Sequence, residues 1–110
     1  MHLPKSLSLL RRMRDARLRE LGRLGPMLAG SLVVFPGHSS RYLTDKAAGK
    51  TRTLYVPLPR LKEVTAWNQQ YRKARQLIAE LSEIQRAMLL TEIRLGRQVR
   101  TGFSGRFTRS

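Results

Sequence analysis

The sequence predicts an α+β fold with an N-terminal helix, a small antiparallel sheet of two or three strands, and a long C-terminal helix. Three patterns predict it. Leucines and one methionine recur near helical spacing through the first 24 residues, β-branched and aromatic residues cluster between 31 and 57, and an apolar stripe runs from Leu61 to Leu95.

The first helix is expected over residues 5–24, with Leu7, Leu10, Met13, Leu18, Leu21 and Leu24 recurring while Arg11, Arg12, Arg14, Arg17, Arg19 and Arg23 fill other positions. Gly25-Pro26 should interrupt it, because proline lacks an amide hydrogen and restricts the residue before it. A further turn through Met27 and Leu28 is expected before Gly30.

Residues 31–57 read as strands. Ser31–Phe35 is a short β-branched and aromatic run stopped by Pro36-Gly37. Residues 40–44 and 51–57 then flank a polar, glycine-containing segment, the pattern of a hairpin with a longer loop. Arg52, Leu54 and Val56 share one face of the last strand and Thr53 and Tyr55 the other, so one face is expected buried and one wet.

A helix over residues 59–95 is the strongest element, with Pro59 suited to its first turn. Its stripe is Leu61, Val64, Trp67, Tyr71, Ala74, Ile78, Leu81, Ile84, Met88 and Leu95, with Gln85 and Glu92 interrupting the seam. At 1.5 Å per residue such a rod would be about 55 Å long. A small domain cannot cover it, so Ile84, Met88 and Leu95 are expected to dock on a partner, with self-association the inference the stripe supports. Residues 1–97 are read as one basic domain and 98–110 as a disordered basic tail.

Composition narrows the function. The chain has 110 residues and 41% apolar content, enough for one domain whose core buries roughly 60–65% of the surface the unfolded chain would expose. Lys and Arg number 22 against 7 Asp and Glu, a formal net charge of +15, and no segment is acidic. Polyanions relieve such self-repulsion while releasing condensed counterions. Arg outnumbers Lys 17 to 5, which suits phosphate because the planar guanidinium makes paired charge-assisted hydrogen bonds; Arg-rich codon usage would produce the same bias. Without cysteine there is no disulfide, thiolate nucleophile or Cys-based zinc site. That fits a cytoplasmic protein, with association with the nucleoid an open extension. No apolar run approaches the roughly 20 residues that span a bilayer, so no membrane partner is expected. The basic start lacks the charge order of a secretory signal.

Catalytic and metal chemistry are not expected. His2 and His38 have no acid nearby in sequence to orient them, and the carboxylates are scattered without ligand spacing. Gly49-Lys50-Thr51 resembles the end of a phosphate-binding P-loop, but the first glycine is missing at the required spacing and a strand, not a helix, follows. No cofactor is implied. Tyr42 and Tyr55 beside Arg41 and Arg52 are candidates for stacking on bases, whereas Trp67 and Tyr71 lie on the apolar stripe and read as core. Phe103, Arg106 and Phe107 lie in a glycine-containing tail of the kind that threads into RNA.

Several short pieces occur in a fixed order. Leu24-Gly25-Pro26 precedes Gly30-Ser31-Leu32, then Gly49-Lys50-Thr51-Arg52 leads to Tyr55-Val56-Pro57, and Glu63-Val64 leads through Trp67 to Tyr71-Arg72. This succession, over roughly residues 20–90, resembles a family of small, functionally uncharacterised bacterial proteins encoded in or beside transposable elements. The resemblance implies a mobile-element context and carries no mechanism. Family members have a cysteine-containing stretch before a Gly-Pro-Tyr-Tyr-like strand. Here Pro36-Gly37-His38-Ser39-Ser40 stands in its place and Tyr42-Leu43 occupies the strand, so any metal that stretch holds in relatives has no ligands here.

The expectation is a non-catalytic accessory protein of a mobile element that binds DNA or structured RNA through phosphates. Arg11, Arg12, Arg14, Arg17, Arg19, Arg41, Lys50, Arg52, Arg72, Lys73 and Arg75 would supply the positive surface, and Tyr42 and Tyr55 the stacking. Two alternatives remain open: a helical interaction module docking on a transposase or on itself, and a ribonucleoprotein subunit whose tail threads RNA.

Overall fold

The computed structural model describes residues 2–37 and 39–99 and has the expected α+β architecture. Helix α1 spans Leu7–Gly22, strands β1, β2 and β3 span Ser31–Val33, Arg41–Ala47 and Lys50–Val56, and a 3-10 turn at Leu58–Arg60 leads into helix α2, Leu61–Val99. The chain divides into two compact units. Residues 21–76 form the sheet unit, and the segments through residue 20 and from residue 77 form the helical unit, with α2 contributing to both.

In the helical unit, α1 is two residues shorter at each end than its leucine pattern suggests. Ser6 caps it, its hydroxyl accepting from the Leu9 amide at 3.4 Å. Leu10, Ile84 and Met88 form the buried cluster, with Leu3, Leu7, Met13 and Ala87 packed around them. Arg17 Nε donates to Glu80 Oε1 at 2.9 Å. The pairs Leu10–Ile84 and Arg17–Glu80 progress in opposite chain directions, as in an antiparallel helix pair. The expected docking role of Ile84 and Met88 is therefore corrected: α1 covers them, and their burial stabilises this unit by roughly 1.5–3 kcal/mol for each large side chain. Leu95 lies farther along the same stripe and is 46% exposed.

In the sheet unit the strands are antiparallel in the order β1-β2-β3. Ser31 pairs with Thr44 and Val33 with Tyr42, while Tyr42 pairs with Tyr55 and Ala47 with Lys50. Leu43, Val56 and Val64 are buried together, with Leu28, Leu32, Leu61 and Trp67 against them. One face of the sheet thus packs on the first turns of α2. The Arg60 guanidinium lies 6.0 Å from the Trp67 ring centroid, a cation–π contact at the start of the helix.

Four local expectations need correction. The β2–β3 loop is only Ala48-Gly49, both at positive φ (52° and 79°), the geometry of a type I′ hairpin turn. Alanine is not a residue that announces such a turn, so the strands run farther than the pattern indicates. β1 ends at Val33 rather than Phe35, and residues 24–29 contain no helical turn. On α2 the buried seam passes through Leu77 rather than Ile78, which is 56% exposed. Asn68, absent from the expected stripe, is 4% exposed. Gly49-Lys50-Thr51 lies in the hairpin turn and β3, with no helix following, which removes its likeness to a P-loop. His38 and the tail residues Phe103, Arg106 and Phe107 lie outside the described residues.

Candidate nucleic-acid interface

Side chains alternate along a strand, so the register sorts the sheet unit's candidates by face. Leu43 and Val56 define the covered face. Tyr42, Thr44 and Lys46 of β2, Thr51, Thr53 and Tyr55 of β3, and Ser31 and Val33 of β1 belong to the open one. Phe35, just past β1, joins it through its ring. The Phe35 and Tyr42 centroids are 5.2 Å apart and those of Tyr42 and Tyr55 5.7 Å apart, tilted and edge-on respectively. Three aromatic rings thus form a row across the strands. Tyr55 and Phe35 are 52% and 40% exposed, so the row presents ring surface to solvent. None of the unit's buried cluster lies on this face.

Before the start of β1, where β2 runs on paired with β3 alone, a cleft of about 350 Å³ opens beside it. Ala29, Gly30, Ser31, Thr44, Asp45, Lys46, Tyr71, Arg72 and Arg75 line it. Ser31, Thr44 and Lys46 belong to the open face and Asp45 to the covered one, so the cleft lies at the margin of the sheet, where the two faces meet. Among the described residues no carboxylate forms an ion pair with Lys46, Arg72 or Arg75. Asp45 reaches the lining, but both its oxygens are engaged by Arg52. Arg52 Nε donates to Oδ1 at 3.1 Å and Nη2 to Oδ2 at 2.7 Å. This bidentate hydrogen bonding holds the Asp45 carboxyl below the usual carboxylate range against the opposing effect of burial, with a lesser contribution from the guanidinium's charge. Three unneutralised cations, two hydroxyls and a phenol edge make an anion-accepting cleft with no net negative contribution from its one acid.

The remaining candidates divide. Arg41 and Arg52 alternate onto the covered side of the sheet, away from Tyr42 and Tyr55, and Arg41 donates to the Ser39 carbonyl at 3.3 Å. The expected pairing of these arginines with the tyrosines is therefore corrected by the strand period itself. Lys50 is exposed at the hairpin end, and Lys73 is exposed but engaged within the chain. In the helical unit, Arg17 is held by Glu80 and Arg14 by Asp15 at 3.0 Å, so both are partly neutralised. Arg11, Arg12 and Arg19 are exposed with no ion pair among the described residues.

Two contributors escape the sequence reading. Lys46 falls in the expected loop, and only the two-residue turn assigns it to the open face. Phe35 reads as part of an apolar strand, and only its contact with Tyr42 places it in the row. No group of three or more His, Cys, Asp or Glu side chains comes together among the described residues. No helix among the described residues is long and apolar enough to cross a membrane. No family model matches the chain, and neither does any curated protein or solved structure compared with it.

Proposed function

We propose that this chain is a non-catalytic nucleic-acid-binding protein that grips its polymer through phosphates, and that it serves as an accessory of a mobile genetic element. The observation carrying the binding role is the cleft where Lys46, Arg72 and Arg75 converge without a carboxylate partner among the described residues, in a chain of net charge +15. Ordinary surface cations are interspersed with acids that neutralise them. Here the one nearby acid is occupied by Arg52, so an incoming phosphate meets positive charge. The mobile-element context rests on the motif succession across residues 20–90.

Binding to duplex DNA, single-stranded DNA and structured RNA, measured across about 50–300 mM salt, tests the binding role, because affinity should fall steeply as counterion release weakens. The triple variant Lys46→Ala, Arg72→Ala, Arg75→Ala should weaken binding and flatten the salt slope by about one unit for each phosphate it no longer neutralises. An unchanged slope would remove the cleft from the interface, and no binding at the lowest salt would overturn the function.

A second reading has its own observation. Leu89, Leu90, Ile93 and Leu95 are 41–56% exposed in the last described turns of α2, as a helix docking on a transposase or a second copy would require. Sedimentation as a monomer at tens of micromolar would exclude self-association.

A further inference from the structure

Phosphate contacts alone do not account for the open face of the sheet. A sheet face in water ordinarily presents polar side chains, and here it presents Phe35, Tyr42 and Tyr55 in ring-to-ring contact, two of them with about half their surface exposed. Beside the rings on this face stand Val33, Thr44 and Thr53, with the short hydroxyl side chains Ser31 and Thr51 farther along the strands. Thr44 and Lys46 lie two and four residues from Tyr42 on the same face, about 7 and 14 Å along the strand. The row itself crosses the strands, and the open face of β2 runs from it along Thr44 and Lys46 to the margin where the cleft of Lys46, Arg72 and Arg75 lies.

We propose that the ligand is single-stranded nucleic acid, with bases stacked on Phe35, Tyr42 and Tyr55 and the backbone entering the Lys46–Arg72–Arg75 cleft. This rests on the phosphate-binding reading above and narrows it. In a duplex the base faces are already stacked on one another and unavailable to side chains. A single strand exposes them, and any base offers a π-face, so stacking makes the site tolerant of sequence. Aromatic rings on the open face and cations at its margin are what such a strand needs from a protein. A duplex would use only the cations. Cross-strand stabilisation explains the contact between Tyr42 and Tyr55, but it does not require Phe35 to extend the row past the end of β1.

The test uses the whole chain and labelled strands of about twelve nucleotides, within the length such sites span. The arms are DNA, RNA of the same sequence, an abasic strand of equal length and the corresponding duplex, at about 200 mM salt so that phosphate attraction is attenuated. The expected result is at least roughly ten-fold tighter binding of the intact single strands than of the abasic strand or the duplex. Whichever of DNA and RNA binds more tightly identifies the sugar the site takes, and a preference for either supports the proposal. Phe35→Ala and Tyr55→Ala should each weaken single-strand binding by roughly five-fold or more, leave the salt slope unchanged and have no effect on the abasic strand. Tyr55→Phe should bind as the parent does. Both altered positions are exposed, so the variants are expected to fold, and an unaltered circular dichroism spectrum checks this. Equal affinity for intact and abasic strands, or alanine variants that bind as the parent does, would overturn stacking while leaving phosphate binding in place. Failure of every strand to bind even at about 50 mM salt would overturn both.

Discussion

The side-chain amide of Asn68 donates to the backbone carbonyl of Gly30 at 2.8 Å, and its second hydrogen serves the carbonyl of Leu28 at 3.0 Å. The Leu28 amide in turn donates to the Trp67 carbonyl at 3.1 Å. One buried carboxamide thereby ties the segment entering β1 to α2, and that segment forms one wall of the cationic cleft. Gly30 is fitted to the site, since at φ 120° a side chain there would be strained and its Cβ would lie 2.7 Å from the Thr44 carbonyl oxygen.

Asn68→Ala should destabilise the sheet unit by about 2 kcal/mol, because it strands two carbonyls without their donor. Asn68→Asp should cost more at neutral pH, since an ionised carboxylate only accepts and would face two carbonyl oxygens. Denaturant unfolding monitored by Trp67 fluorescence measures both. Equal stability of parent and Asn68→Ala would refute the clamp.

The hairpin carries a correctable strain. Ala48 sits at φ 52°, a left-handed conformation that L-residues with a Cβ adopt at a cost, followed by Gly49 in the same region. Ala48→Asn, which produces the Asn-Gly pair favoured in type I′ turns, should stabilise the protein by about 1 kcal/mol. A melting temperature that fails to rise would count against the turn geometry.

Acid should loosen the Asp45–Arg52 pair. The folded carboxyl titrates below its ordinary value of 3.8, first because Arg52 hydrogen-bonds its ionised form and further through the guanidinium's charge. A depressed carboxylate contributes its full stabilisation above the unfolded value and loses it as pH falls through the folded one. The stability gap between the parent and Asp45→Asn should therefore hold from neutrality down to about pH 5 and close below about pH 4. A gap independent of pH would show that the pair contributes nothing through ionisation.

Ile84→Ala should destabilise the helical unit by about 2–5 kcal/mol, the range for emptying a well-packed site. Hydrogen exchange should accelerate across α1, because Leu10 is deprived of a partner in the buried cluster. Leu95→Ser, at an exposed position, should change stability by no more than about 0.5 kcal/mol. If Ile84→Ala left the protein's stability unchanged, the packing of α1 on α2 would be refuted.

Periodicity and punctuation in the sequence determined the kinds and order of the elements. Leucines at helical spacing, a β-branched run stopped by Pro36-Gly37, and a long stripe after Pro59 are local patterns, and local backbone preference reads them directly. They also determined the positive charge and Val64 and Trp67 on one apolar stripe of α2. Tertiary structure decided what those elements meet. Ile84 and Met88 read as unpartnered because nothing in a one-dimensional pattern says that a helix near the other end of the chain will cover them. Asn68 is polar and fits no apolar stripe, yet two carbonyls from a distant segment make its burial favourable. Lys46 and Phe35 joined the candidate site through a turn one alanine disguised and a ring contact between strands. Arg17 and Arg52 met Glu80 and Asp45, which neutralised charges that sequence alone counts as free. Hydrogen bonds, ion pairs and burial depend on distances between residues far apart in the chain, and those distances exist only once it has folded.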